Sequence, residues 1–211
     1  STIHFGILNS LRSWNFFDLP SDVISSSNVG GFGIDGNVSS LIGASFANRD
    51  RLYFGVIGDL AFFYDMNAIG NRHVGNNIRI LLVNNGKGTE FRQFNHKAAQ
   101  FGQEADNFIA AAGHFGNKST ELVKHYAKTL GFEYMSASTK EEFEEVYERF
   151  LVPEQTDKPM LFEVFTDSEE ESKALEIITS LEISGNIKAK EFARKIFGKK
   201  GMYAARKIIK G

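Results

Sequence analysis

The 211-residue chain has no cysteine, which excludes disulfides, thiolate metal sites and cysteine nucleophiles. It has only 3 prolines and no stretch of about 18 uninterrupted apolar residues, so no membrane span is expected. No basic, apolar leader is visible either, and a reducing cytoplasm is the expected location. An excess of either charge is also missing. Against 26 Asp and Glu stand 24 Lys and Arg, a net charge of −2, which makes no general case for nucleic-acid binding. What is abundant is phenylalanine, 20 residues, pointing to a well-filled core or an extensive subunit contact. With 42% hydrophobic and 24% charged residues the balance is that of a globular protein, which excludes disorder and low complexity. The chain opens Ser1-Thr2-Ile3 without Met, so a piece processed or excised from something longer is expected.

Short apolar runs bounded by turn residues alternate with amphipathic segments. Strands are predicted at 3–8, 22–27, 52–57, 78–83, 133–136 and 159–165. Helices are predicted at 9–17, 38–47, 60–71, 119–130, 139–150 and 168–181. Thr139 with Glu142 reads as a capping box. Gly30, Gly31, Gly33 and Gly36 mark a crossing loop, and 86–118 reads as an active-site loop with short helices. This alternation implies an α/β, flavodoxin-like three-layer domain around a six-stranded, mainly parallel sheet. It is assigned to residues 1–185. Residues 186–211, with nine Lys and Arg against one Glu, read as a basic helical extension.

Parallel sheets bind ligands at the carboxyl ends of their strands. Gly58-Asp59 follows one predicted strand and Asn84-Asn85-Gly86-Lys87-Gly88 another. The 26 positions from Asp59 to Asn85 hold one helix and one strand, so adjacent parallel strands would carry both to one rim. A carboxylate, an amide oxygen and a nearby carbonyl make a hard oxygen site suited to Mg²⁺, and Leu60-Ala61 opens a helix whose free N–H groups suit a phosphate. Taken singly, Asp59 could be only a helix cap and Asn84-Asn85-Gly86 only a turn.

The pattern Gly58-Asp59-Leu60 … Asn84-Asn85 resembles the thiamine diphosphate-binding motif, with Leu60 where Gly is common. Three stretches in order carry a wider resemblance: Gly33-Ile34-Asp35-Gly36-Asn37-Val38-Ser39-Ser40, Ile57-Gly58-Asp59-Leu60-Ala61-Phe62-Phe63-Tyr64-Asp65-Met66-Asn67 and Val83-Asn84-Asn85. Over residues 5–165 the chain is similar to the C-terminal cofactor domain of the 2-succinyl-5-enolpyruvyl-6-hydroxy-3-cyclohexene-1-carboxylate synthase family of the menaquinone pathway. The resemblance implies that Asp59, the Asn85 side chain and the Lys87 carbonyl hold Mg²⁺. It implies that Asn9-Ser10 ends the first strand with Ser10 on the diphosphate, that Gly58, Leu60 and Ala61 line it, and that Gly33 and Ile34 lie against the cofactor rings. It further implies a Mg²⁺-dependent enzyme that decarboxylates a 2-oxo acid and transfers the resulting carbanion to an acceptor. An activating Glu would come from a pyrimidine-binding domain or subunit, with active sites between subunits of a homodimer or higher assembly. Alone, the chain is expected to be inactive.

Some positions depart from that family. Val29 and Trp14 stand where it has arginines that grip acidic substrates, and Glu90 stands before Phe91 where it has Ile. Arg12, Arg92, Lys87 and His96 are the candidates to compensate. The alternatives are a subunit of a simple decarboxylase of a phosphonopyruvate- or sulfopyruvate-like acid, and a non-catalytic cofactor-binding module. Glu90 and His96 are the candidate acid/base groups. The five histidines show no metal spacing, with His96 and His114 in the long loop. Asp65, Glu142, Glu145, Glu148, Glu169, Glu170 and Glu171 read as solvated helix faces.

Overall fold

The computed structural model of the chain describes residues 1–31, 33–111 and 118–181. Contacts divide the chain into two compact units, Ser1–Glu171 and Ser172–Gly211. The expected boundary at 185/186, the basic tail and His114 lie outside the described residues.

Six strands build the first unit: β1 (Thr2–Phe5), β2 (Ile24–Ser27), β3 (Tyr53–Gly58), β4 (Ile78–Asn84), β5 (Glu133–Ala137) and β6 (Met160–Phe165). They form one sheet in the order β2-β1-β3-β4-β6-β5, and every pairing is parallel. The helices between them are α1 (Asn9–Trp14), α2 (Asn37–Ser45), α3 (Asp59–Asp65), α4 (Asp106–Ile109), α5 (Leu122–Thr129) and α6 (Lys140–Phe150). Central strands alternate strictly between the two faces, as the period of a pleated strand requires. Tyr53 and Ile57, then Ile78, Ile80 and Leu82, then Leu161 pack under α2, α3 and α5. Phe54, Leu81, Met160 and Phe162 point the other way, toward Phe143, Tyr147 and Phe150 of α6. Gly55 lets α2 approach, because a β-carbon there would meet Leu41 at 2.6 Å.

Four sequence expectations are corrected. The first strand stops at Phe5, not Leu8: Ile7 is buried, but Leu8 takes a φ of 67° that turns the chain into α1. The helix expected over 60–71 is α3 followed by a 3-10 turn, Met66–Gly70. At their junction Asp65 is no solvated carboxylate: its oxygens accept the Ser39 N–H and hydroxyl, both at 2.6 Å, tying α3 to the start of α2. The helix expected from 119 starts at Leu122, because the Ser119 hydroxyl accepts the N–H groups of Glu121 and Leu122 in a local turn.

Arg79, the second residue of β4, has no exposed surface. Its guanidinium donates to the carbonyls of Phe150 at 2.7 Å, Glu154 at 2.6 Å and Val152, closing the turn after α6. At the other end of that helix Thr139 accepts the Glu142 N–H at 3.2 Å, while the Glu142 carboxylate accepts the Ser138 N–H. Thr139→Ala is expected to cost about 1 kcal/mol in urea unfolding. An unchanged midpoint would show that the cap is dispensable.

Candidate functional site

The strand order reverses between β1 and β3: from β1 the chain steps outward to β2, and from β3 it steps the other way to β4. Such a switch point opens a crevice at the carboxyl ends of the strands. The loop after β1 carries Asn9 and Ser10 there. A β-carbon on Gly58 would lie 3.9 Å from the Ser10 hydroxyl oxygen, so Ser10 stands beside the tip of β3. The non-glycine Leu8 in a left-handed conformation directly precedes this pair, and strain of that kind concentrates at functional sites.

β3 and β4 are neighbours in register, Gly58 opposite Val83. Asp59 therefore leaves the sheet beside the Asn84-Asn85 pair. Its carboxylate is 2% exposed. One oxygen accepts the Leu60 N–H at 2.7 Å and the other accepts the Gly86 N–H at 2.5 Å, a bond across 27 positions that fastens the two strand tips together. Burial pushes the Asp59 carboxyl up to about 7, the backbone bonds partly offset this, and the negative charge of Glu171 adds to it. The Leu60 N–H expected to face a phosphate is thus engaged by Asp59 in this structure.

The two asparagines do different work. Asn84 donates to the fully buried Glu163 on β6 at 2.7 Å, and Tyr134 donates to the other Glu163 oxygen at 2.7 Å, so Asn84 ties strands together. Asn85 turns to the rim. Its Oδ1 accepts the Lys87 N–H at 3.1 Å and its Nδ2 donates to Glu171 at 3.0 Å. Glu171, expected to be a solvated helix residue, is in fact part of this cluster. Its second oxygen accepts the Thr166 hydroxyl, and burial raises its carboxyl above the ordinary range. No ion pair of the described residues includes Asp59 or Glu171. Among those residues no group of three His, Cys, Asp or Glu side chains converges as a metal cage. The Asp59 carboxylate and the Asn85 amide oxygen, at the tips of neighbouring strands, are hard oxygens of the kind that suit Mg²⁺.

The segment after Asn85 folds over the rim. An antiparallel bridge pairs Lys87 with Ala110, and Lys87 Nζ donates to Asp106 at 2.8 Å. Gly88 packs on Leu60, where a β-carbon would meet the leucine at 2.9 Å. Glu90 pairs with Arg12, which also donates to Gln93 at 3.2 Å, and Gln93 donates to Asn9. Arg12 is therefore turned to Glu90, and Gln93, which nothing in its sequence context marked, links the Asn-Ser pair to this loop. His96 Nδ1 accepts the Ala98 N–H at 3.1 Å and its ring meets Phe91 edge-on, which is a capping arrangement. Gly33 and Ile34 occupy the loop after β2. Asn37 donates to the Ile34 carbonyl at 2.6 Å, so they are bound to their own helix and not to the Asp59–Asn85 cluster.

An apolar trough of about 1000 Å³ lies against α6, lined by Trp14, Phe54, Leu81, Phe143 and Phe162. None of the rim residues lines it, and its lining is mostly apolar, so the strand tips are the candidate site. No helix among the described residues is long and apolar enough to cross a membrane.

Residues 9–164 match the family described as thiamine pyrophosphate enzyme, C-terminal TPP binding domain. The chain is 38% identical over 173 residues to a 2-succinyl-5-enolpyruvyl-6-hydroxy-3-cyclohexene-1-carboxylate synthase of Phocaeicola vulgatus, covering 82% of the chain and 29% of that protein. It is 34% identical over 173 residues to the synthase of the same name from Bacteroides fragilis, covering 82% and 30%. Over 166 residues it is 31% identical to the one from Christiangramia forsetii, covering 79% and 27%. The chain thus spans less than a third of the length of these relatives.

Proposed function

This chain belongs to the family of C-terminal TPP-binding domains of thiamine pyrophosphate enzymes, and on that premise we propose that it holds Mg²⁺ and the diphosphate of thiamine diphosphate at the tips of β1, β3 and β4. Asp59, Asn85 Oδ1 and the Lys87 carbonyl hold the metal. Ser10, Gly58 and the backbone N–H of Ala61 face the diphosphate, and Gly33 and Ile34 face the rings. The observation that carries this reading is the bond from the Gly86 N–H to Asp59, which puts a buried carboxylate and an amide oxygen on one rim. A carboxylate raised by burial and by a second carboxylate is one that a divalent cation offsets.

When bound, thiamine diphosphate supplies the electron sink for breaking the bond between the carbonyl and carboxylate carbons of a 2-oxo acid. The chain's own residues bind, orient and exclude water. In the complete enzyme the proposed reaction is decarboxylation of a 2-oxo acid with transfer to an acceptor. A pyrimidine-binding domain or subunit completes the site, in a homodimer or larger assembly. Phe91, Phe94, Phe101 and Phe108, all exposed on the segment over the rim, suit such a contact.

The Arg12–Glu90 pair favours a second reading of the substrate. An arginine already engaged by a carboxylate grips a second acidic group less well, which favours a smaller 2-oxo acid. The test has two stages. Thiamine diphosphate should raise the melting temperature of the 211-residue chain only when Mg²⁺ is present. Adding a pyrimidine-binding domain should then give CO₂ release from a panel of 2-oxo acids. Stabilisation without Mg²⁺ would remove the metal assignment, and no release from any acid would leave a binding module.

A further inference from the structure

We infer that Glu171 is a positioning residue of the divalent-cation site, acting through the amide of Asn85; the inference rests on the cation reading above. Asn85 faces Glu171 with its NH₂ edge and donates to it at 3.0 Å. The Lys87 N–H on the other side demands an oxygen and meets Oδ1 at 3.1 Å. The two partners together fix which way the amide points. Oδ1 is left with a second lone pair for a cation, beside the carboxylate of Asp59.

Glu171 is held from behind as well. Its other oxygen accepts the Thr166 hydroxyl, and its N–H donates to the Asp167 carbonyl at 2.9 Å in the first turn of the helix after β6. Thr166 is itself anchored, donating its N–H to the carbonyl of Asn84 at 3.0 Å. The chain therefore runs from β4 through Thr166 and Glu171 back to Asn85, a closed circuit around one amide. Without the carboxylate that amide is held by the Lys87 N–H alone and can turn to offer N–H to a cation. Groups that orient a metal ligand from behind typically change metal affinity about 10–100-fold when removed.

The experiment uses the full 211-residue chain at fixed thiamine diphosphate and reads the Mg²⁺ concentration that gives half of the melting-temperature rise. Glu171→Leu should raise that concentration about 10–100-fold. Glu171→Gln keeps an acceptor for Asn85 and can donate to Thr166, so it should raise it no more than about threefold. In an Asn85→Ala background Glu171→Leu should add nothing, because coupled residues are not additive. Parity of Glu171→Leu with the parent, equal losses for Leu and Gln, or additive losses with Asn85→Ala would each overturn the positioning role. Should Glu171→Leu fail to fold, Thr166→Val frees the same carboxylate and must weaken the Mg²⁺ response, and parity there overturns it too. If Asp59→Ala abolishes the response while the Glu171 variants leave it intact, the metal site stands and this inference falls. A parent chain with no Mg²⁺-dependent response ends both.

Discussion

Asp59→Ala should abolish Mg²⁺-dependent binding of thiamine diphosphate, with affinity down by about 100-fold or more, or about 2.7 kcal/mol, in calorimetric titration. The carboxylate is the one anionic ligand of the proposed set, and nothing in its place can supply that charge. Binding within about threefold of the parent would remove the metal from the rim. Asp59→Asn separates charge from shape. The carboxyl has an ordinary value of 3.8 and sits at about 7 in the folded chain. Because the folded state holds the proton more tightly, ionisation destabilises it. The cost is absent below about pH 4, grows as pH rises, and is complete above about pH 7, on the order of 4 kcal/mol. Without ligands the parent should thus lose stability between pH 4 and pH 8, and Asp59→Asn should lose much less. Glu171 is raised in the same direction, so it leaves a residual slope of the same sign. Denaturant midpoints across that pH range measure the difference, and parallel curves for parent and variant would contradict the assigned burial of Asp59.

Arg79→Met should destabilise the domain by about 2–4 kcal/mol. Methionine fills similar space without a donor, so the carbonyls of Phe150, Val152 and Glu154 lose the partner that closes the turn after α6. Phe150 is the buried one of the three, and its carbonyl left unpaired costs about 1–3 kcal/mol. For a domain of this size the melting temperature should fall by roughly 10 °C. Arg79→Lys should recover only part of this, since one ammonium cannot reproduce a fork that reaches three carbonyls. A loss under about 1 kcal/mol would mean that water satisfies these carbonyls in the variant. The charge itself is unfavourable there: burial lowers the arginine's pKa, and the guanidinium is retained for its hydrogen bonds.

Much of the fold could be read from local pattern. The apolar runs of β3, β4 and β6 marked strands, because both faces of a parallel sheet are buried and its strands read as near-continuous apolar runs. The adjacency of β3 and β4 also followed from chain direction, since one helix between parallel strands places them side by side. That adjacency is what made Asp59 and Asn85 legible as partners. Leu8 was not legible. Its apolar neighbours look like strand, and only the backbone, with a φ of 67° after the buried Ile7, shows the turn there.

The sequence by itself determined the sheet, the rim and the identity of two side chains on it, because hydrophobic period and strand-end polarity are local properties. Only the tertiary structure decided what surrounds them. Glu171 is 86 positions from Asn85 and sits in a run of three glutamates that any periodicity would assign to solvent. Arg12 and Glu90 are 78 positions apart, and their pairing decides which charge the rim presents. Arg79 lies in an apolar strand where no pattern reveals its three carbonyl partners. In each case the interaction depends on how distant segments meet, and a side chain's charge state and orientation follow from burial and neighbours that the linear order does not contain.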